Sequence, residues 1–322
     1  MVAPDGATTH LAALEDAPAG IGAIAHRIVH GGRRLRDPVM VDDEVEAELA
    51  AATELAPLHN APALAALRRA RAELPDLPHV AVFDTAFHAT IPDEAATYAL
   101  PAQAREEWGI RRFGFHGLSV QWASEQVGVA RLVVCHLGGG CSVTAVRDGR
   151  SIDTTMGFTP LEGVPMATRP GTVDPGALLY LLRHHLTLDG LDALLEHQSG
   201  LLGLSEMSGD VAELERSDDA RVRLALQVFA YRVASAVGAM AVALDGLDAL
   251  VFTAGIGEHS SRVRADICSR LGFLGVQLDA DANDSAEPDA TISARSASVR
   301  VEVIRTREDV VAARAVRHLL AM

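Results

Sequence analysis

The sequence predicts an α/β fold in two domains, and three observations carry that reading. Short apolar, β-branched runs alternate with helix-periodic stretches along the whole chain. Two of those runs end in glycine clusters: Gly138, Gly139 and Gly140 after residues 132–135, and Gly255-Ile256-Gly257 after the run that starts at Ala249. The length, 322 residues, suits about two domains. A glycine loop after a buried strand can turn tightly and present bare N–H groups, which is what a phosphate needs. Either loop alone reads as a plain turn. Two copies suggest two loops gripping one polyphosphate from opposite sides.

The elements follow in order. Residues 1–20 are Ala/Pro/Asp-rich with little periodicity and read as a loose lead-in. Residues 21–29 form a strand, closed by His30-Gly31-Gly32. Residues 42–55 form a helix, capped by Asp42 or Asp43 with acids in its first turn. The stretch from Pro57 to Pro62 interrupts, and a helix resumes over 63–72. A turn at 75–78 precedes a buried strand, 79–83, that ends at Asp84. Residues 94–98 and 103–108 are irregular or short helix, and 119–127 is a helix after Arg111-Arg112-Phe113-Gly114-Phe115-His116-Gly117. The first glycine unit comes next, then a strand at 142–146, the turn Asp148-Gly149, and a long loop from Asp153 to Asp174. Helices follow at 176–185 and 191–197, a short piece at 210–215, and one long apolar helix at 219–244. After the second glycine loop come a helix at 261–271, a strand at 299–304 and a last helix at 308–320. Thr306-x-x-Asp309 reads as the capping box of that last helix.

Composition narrows the partners. Apolar residues make up 49%, enough for buried cores, and the net charge of −15 argues against nucleic acid and anionic membranes. It leaves an anionic substrate open, since local arginines override the global sign. Cys135, Cys141 and Cys268 form no CxxC pair, which suits a reduced, cytoplasmic protein. The first ten residues lack the pattern of a signal peptide, and no apolar run reaches the about 20 residues of a membrane span.

Polar residues at strand ends are the candidates for chemistry. Arg27 sits among apolar neighbours, so it is either ion-paired or faces a ligand. Arg169, in Met166-Ala167-Thr168-Arg169-Pro170-Gly171, is either a solvated loop arginine or half of a clamp. Neither arginine has an obvious partner in sequence, and together they could hold a carboxylate and a phosphoryl group. Asp84 is a strand-end carboxylate or a turn residue. His116 is a hydrogen-bonded half-buried histidine or an acting one. Glu308 caps a helix dipole or holds Mg²⁺. No zinc ligand spacing is present: His26 and His30 fall on a strand, and His184 and His185 are adjacent.

The motifs at 25–32, 55–62, 83–88, 111–117, 134–142, 153–163, 166–175, 199–205, 252–260 and 306–314 together resemble the acetokinase family, within the actin-like ATPase and sugar kinase superfamily. The resemblance runs from about residue 21 to the C-terminus. It implies an acetokinase-type fold of two domains with a cleft between them: residues 1–88 completed by the helix 309–322, and a nucleotide-binding domain over 89–308. It implies ATP:acetate phosphotransfer, reversible to acetyl phosphate and ADP, with Mg²⁺ (or Mn²⁺) required, and a homodimer. The alternatives are a kinase for propionate or another short acyl group, and a catalytically impaired nucleotide- or acyl-phosphate-binding homologue.

Residue by residue, the resemblance implies that Arg27 and Arg169 bind the carboxylate and the transferring phosphoryl group, and that His116 stabilises the transition state. Asp84 would orient substrate or help place the metal, and Glu308 would ligate it. Val29, Leu58, Phe115 and Pro160 would line the pocket for the substrate methyl. His136, Leu137, Gly138, Gly139 and Gly140 would cradle ATP phosphates. Asp210 with Gly255, Ile256, Gly257, Glu258 and His259 would hold the adenosine end. The chain departs from the family pattern at four places. It shows no opening strand and Ser-rich phosphate loop before Ile21, so the N-terminal domain reads as incomplete and little kinase activity is expected. Gly139 replaces an asparagine. Ala212 replaces an arginine. His259 replaces an asparagine, and Arg305-Thr306-Arg307-Glu308 replaces Pro-Thr-Asn-Glu.

Overall fold

The computed structural model describes residues 1–3, 8–9 and 20–320. Most of the lead-in assigned to residues 1–20 therefore lies outside the described residues. In chain order the elements are β1 (Ile24–Ile28), β2 (Val39–Met40), α1 (Asp43–Ala52), α2 (Pro57–Glu73), β3 (His79–Phe83), α3 (Asp93–Ala96), α4 (Ala102–Glu106) and α5 (Gly117–Val127). Next come β4 (Arg131–Leu137), β5 (Cys141–Arg147), β6 (Arg150–Thr154), α6 (Pro175–His184), α7 (Leu188–His197), α8 (Gly200–Ser205), α9 (Val211–Leu214) and α10 (Ala220–Leu244). The chain closes with β7 (Ala249–Thr253), α11 (Ala254–His259), α12 (Ser261–Cys268), α13 (Ala280–Asp284), β8 (Ala290–Thr291), β9 (Arg300–Val303) and α14 (Glu308–Leu319).

The contacts divide the chain into two compact units. The first comprises Met1–Ala89, Phe115–Trp122 and Arg307–Met322; the second comprises Thr90–Gly114 and Ala123–Thr306. Compared with the expected boundaries at 88 and 308, the first unit also takes Ala89, the stretch Phe115–Trp122, and the residues Arg307 and Glu308.

In the first unit β3 is the middle strand of the order β1-β3-β2, parallel to β1 and antiparallel to β2. Every residue of β3 is buried, because both faces of the sheet are covered. Ala81 and Phe83 pack with Ile28, Val45, Leu49, Leu64 and Leu67, so α1 and α2 cover one face. Val80 and Val82 pack with Leu118, Val311, Ala312 and Val316, so α5 and α14 cover the other. Across the strands His26 Nε2 donates to His79 Nδ1 at 2.9 Å, since His79 Nε2 faces the Leu74 carbonyl. Burial first, and His79 second, hold His26 at about 4.

Two local expectations are corrected here. The break expected between Pro57 and Pro62 is absent, and α2 runs through both prolines. Pro57 stands at the helix start, where no N–H is needed, and Pro62 removes only one early hydrogen bond. Buried Asn60 also anchors this turn: its Oδ1 accepts from the His30 N–H at 3.0 Å and its Nδ2 donates to the His30 carbonyl at 2.9 Å. The capping box at Thr306 does not form. The N-cap of α14 is Arg307, without a side-chain cap bond, because the Thr306 N–H donates instead to Glu258 Oε1 at 2.9 Å.

The second unit is built on a sheet of order β6-β5-β4-β7-β9-β8, in which β4 and β7, and β7 and β9, pair in parallel, while the pairings of β5 with β4 and β6, and of β8 with β9, are antiparallel. Asp148 and Gly149 both take positive φ, 49° and 75°, which suits the right-twisted β5–β6 hairpin. The 25-residue α10 is long and apolar enough to cross a bilayer, which corrects the expectation that no run approaches such a length. Its Phe229, Val233, Val237 and Leu244 are buried, and it packs on β4 and β5, which makes it a core helix. A further correction concerns the second glycine loop. Gly255-Ile256-Gly257 is no loop but part of α11, into which β7 runs directly. Ala254 takes the corner at φ 65°, and its N–H donates to Glu258 Oε1 at 3.0 Å.

Candidate active-site residues in each unit

The first unit gathers its charges around Arg27. The parallel register sets Arg27 opposite Val82 and Ile28 opposite Phe83, so the residue after β3 comes alongside Arg27. That residue is Asp84, whose N–H donates to the Ile28 carbonyl at 3.0 Å. Arg27 Nε donates to Asp84 Oδ1 at 2.8 Å and Nη2 donates to Oδ2 at 2.7 Å, a bidentate fork. Arg27 Nη1 donates to Glu308 Oε2 at the start of α14. The sequence left Arg27 as paired or ligand-facing; it is paired twice, and the expectation that it lacks a partner is corrected.

Electrostatics follow from one cation serving two carboxylates. Burial opposes the charge on Arg27, but the hydrogen bonds and charges of Asp84 and Glu308 outweigh it, and the guanidinium is raised above its ordinary value. Glu308 is pushed up to about 7, first by burial, with the Asp84 charge adding to it and Arg27 opposing. The cluster carries a surplus negative charge, and Glu308 is where a proton relieves it.

His116, at φ 59°, immediately precedes Gly117, the residue tied to Asp84 of this cluster. Gly117 donates its N–H to the Asp84 carbonyl at 2.9 Å, and a Cβ at Gly117 would fall 2.2 Å from that oxygen. Only glycine allows that approach. Phe115 is fully buried, edge-on to the His30 ring at 5.3 Å. Val29 is half-buried and Leu58 is exposed on α2.

The second unit holds the glycine motifs. Pairing of β4 with β7 sets His136 opposite Thr253, so residues 138–140 and the start of α11 lie side by side at adjacent strand ends. A Cβ on Gly138 would lie 3.6 Å from Ala254 Cβ and 3.9 Å from the Gly255 nitrogen. A Cβ on Gly139 or on Gly255 would meet nothing within 4 Å, so both backbones are open. The expected grip from opposite sides is thus a side-by-side arrangement within one sheet edge. Leu137 is fully buried and can offer only backbone. His136 is buried at the end of β4.

The loop carrying Arg169 reaches the same place. Ala167 N–H donates to the Gly139 carbonyl at 3.2 Å, and the Arg169 carbonyl accepts from Met166 at 2.9 Å. Arg169 Nη1 donates to the Pro160 carbonyl at 2.9 Å. Among the described residues no carboxylate lies within ion-pair distance of Arg169. Burial lowers its pKa, with Glu196 and then Cys141 opposing. Asp210 caps α9, accepting from Ala212 N at 2.7 Å. Glu258 uses Oε1 on the amides of Ala254 and Thr306, while His259 and Gly255 are exposed.

Sequence reasoning missed Arg264. It is 2% exposed; Nη1 donates to the carbonyls of Gly257 and Glu258 at 3.0 and 2.9 Å, and Nε donates to Asn283 Oδ1 at 2.9 Å. It thus fastens the end of α11. A signal was present: Arg264 shares the apolar stripe of Val263, Ile267 and Cys268 on α12.

Mg²⁺ can be tested against these donors. Among the described residues no group of three His, Cys, Asp or Glu side chains is spaced to cage a metal. Magnesium commonly needs only one or two carboxylates plus phosphate oxygens and water. Asp84 and Glu308, with one guanidinium between them and negative charge to spare, fit that requirement.

Comparison with known proteins gives concordant results. A profile of the acetokinase family matches residues 7–314. An acetate kinase of Nostoc punctiforme is 47% identical over 301 residues, covering 90% of this chain and 74% of that protein. The crystal structure of Porphyromonas gingivalis acetate kinase superposes with a TM-score of 0.88 at 36% identity, covering 95% of this chain and 80% of that one. A propionate kinase from Francisella tularensis gives 0.87 at 38% identity, covering 91% of this chain and 78% of that one.

The Glu308 shift has a signed consequence. A carboxyl raised from 4.5 to about 7 on folding binds more protons folded than unfolded in that window. Stability therefore falls as pH rises through it and levels off above. Thermal denaturation of the wild type and of Glu308→Gln in chelator should show the wild type losing ground to the variant between those limits. Parallel curves would contradict the assignment.

Proposed function

The chain belongs to the acetokinase family, and on that premise we propose how its residues carry the reaction. The fold is that of the family, an actin-like ATPase fold. The activity is ATP:acetate phosphotransfer. A carboxylate oxygen of acetate attacks the γ-phosphorus, the bond to the ADP oxygen breaks, and acetyl phosphate and ADP leave; the reverse regenerates ATP. The observation that carries this reading is the identity of 47% to an acetate kinase over 90% of the chain.

Phosphoryl transfer asks a protein for positioning and charge neutralisation rather than covalent chemistry. The open backbones at Gly139 and Gly255 support the second unit as the nucleotide binder, with His136 to Gly140 on the phosphates and Asp210 with Gly255 to His259 on the adenosine side. Ala212 and Gly139 each bring less side-chain contact there than the family pattern. Arg169, a partly buried cation without a carboxylate partner among the described residues, is suited to an anionic phosphoryl group. Arg27 answers the acetate carboxylate while Asp84 holds its fork. His116 donates to oxygens that gain charge in the transition state. Asp84 and Glu308 would hold Mg²⁺, or Mn²⁺, and the ion would neutralise phosphate charge when bound. Within the first unit, Val29, Leu58 and Phe115 limit the acyl group. A cytoplasmic location for the reaction is proposed, and the free, buried cysteines suit it.

Acetyl phosphate trapped as hydroxamate tests the reading. Arg169→Ala should lose two to three decades of rate, about 3–4 kcal/mol, while ATP binding stays near wild type. Lysine should not rescue it. Wild-type turnover in the alanine variant would remove Arg169 from the reaction. Arg27→Ala is a less clean probe, since it also strands two carboxylates. In the same assay acetate should exceed propionate by a modest factor, as one methylene is worth about 1–3 kcal/mol, and Val29→Ala should narrow the gap. A wild type that prefers propionate would favour the second reading, to which the Francisella likeness points.

A homodimer is also proposed. Helix α6 buries none of its residues, leaving Leu179 at 49% and Tyr180 at 55% exposed, with Leu188 of α7 at 73%. Exposed large apolar side chains on successive helices suit association with a second copy. Light scattering should find a dimer that Leu179→Asp with Tyr180→Asp converts to monomer; an unchanged mass would exclude this face.

A further inference from the structure

We propose that His88 is a positioning residue for the phosphoryl transfer, holding the backbone on which His116 stands. The proposal rests on the reading of His116 given above and deepens it.

His88 lies in a 3-10 turn, Phe87–Thr90, just beyond β3 and Asp84. It is 2% exposed, and its Nε2 lies 2.8 Å from the Phe115 carbonyl oxygen. A carbonyl can only accept, so Nε2 carries the proton and His88 is the donor. Burial holds the ring down at about 4, against a small opposing effect of the Phe115 bond, so the ring is neutral and its tautomer is fixed.

The residue after that carbonyl is His116, at φ 59°, a left-handed conformation that a side chain resists. Such a conformation persists only where its surroundings impose it. Here both flanks are tied to one segment. His88 binds the Phe115 carbonyl on one side, and the Asp84 carbonyl accepts the Gly117 N–H at 2.9 Å on the other. The segment is itself rigid: His88 N–H donates to the Thr85 carbonyl at 3.2 Å, and Asp84 holds the Arg27 fork. The turn 84–88 thereby sets His116 and Arg27 in a common frame within the first unit. Removing the His88 donor frees one flank of the kink and leaves a buried carbonyl without it.

The test compares His88→Gln, which can still donate an N–H, with His88→Met and His88→Leu, which cannot. The apolar variants should lower kcat by about 10²-fold, as expected for a misplacement near 1 Å, with ATP affinity unchanged and KM for acetate moved far less than kcat. His88→Gln should recover most of the rate. In a His116→Ala background the same His88 substitutions should change the residual kcat by less than about twofold, because coupled residues are not additive. Additive losses, or a glutamine no better than methionine, would overturn the proposal. Full activity in His116→Ala would instead remove the reading on which it rests. Hydrogen exchange over residues 115–120 needs no turnover. It should quicken in His88→Met and stay slow in His88→Gln, and equal protection in both would overturn the proposal whatever the activity. Circular dichroism identifies an unfolded leucine variant, in which case the methionine and glutamine pair carries the comparison.

Discussion

One guanidinium between two carboxylates is the interaction on which the first unit depends. Arg27, Asp84 and Glu308 come from β1, the end of β3 and the start of α14, and their ion pairs join the three segments. Asp84 is 1% exposed, so it tolerates its charge only while the fork of Arg27 is present. The same pairing leaves Glu308 as the second claimant on a single cation, so burial, with the Asp84 charge adding to it, raises its proton affinity against the pull of Arg27. A cluster one positive charge short is also a cluster ready for a divalent ion with phosphate.

The second unit solves a different problem, exposing backbone without leaving it loose. Gly139 and Gly255 are bare on one side, but their neighbours are fastened: Gly138 N–H to the Gly140 carbonyl at 3.0 Å, Ala254 to Glu258, and the carbonyls of Gly257 and Glu258 to the buried Arg264. Preorganised donors cost little reorganisation when a charged group arrives. The strained corners at His116 and Ala254 stand at the two regions assigned to chemistry, and each is held by a buried side chain: His88 donates to the Phe115 carbonyl that precedes His116, and Glu258 accepts from the Ala254 N–H.

The α/β class, every strand of more than two residues except β6, and the long helix α10 could be read from apolar runs and their flanking glycines; β6, with the polar sequence Arg-Ser-Ile-Asp-Thr, offered no such run. Helix α2 could not, because a proline six residues into a helix deletes one hydrogen bond while tertiary burial of Leu64 and Leu67 supplies far more. The capping box at Thr306 failed for a similar reason: a distant carboxylate, Glu258, competes for the same N–H. Local sequence shows the candidate donor and acceptor, not which partner the fold delivers. The candidate site was legible only as a list of candidates, since Arg27, Asp84, His116, Arg169 and Glu308 sit in recognisable motifs. Its pairing was not, since only the register of β1 with β3 places Asp84 on Arg27. His88 and Arg264 escaped notice because a histidine after a strand and an arginine in a helix are ordinary until burial is known.

The pairing of Arg27 with Asp84 is the claim everything else in the first unit rests on. A double-mutant cycle of Arg27→Met and Asp84→Asn, read by urea denaturation of the full chain, measures it directly. The account predicts a coupling energy of about 1–3 kcal/mol, with the double variant more stable than the Arg27→Met single, which leaves a buried carboxylate without its cation. Coupling near zero would contradict it and would detach Arg27 from the frame that carries His116.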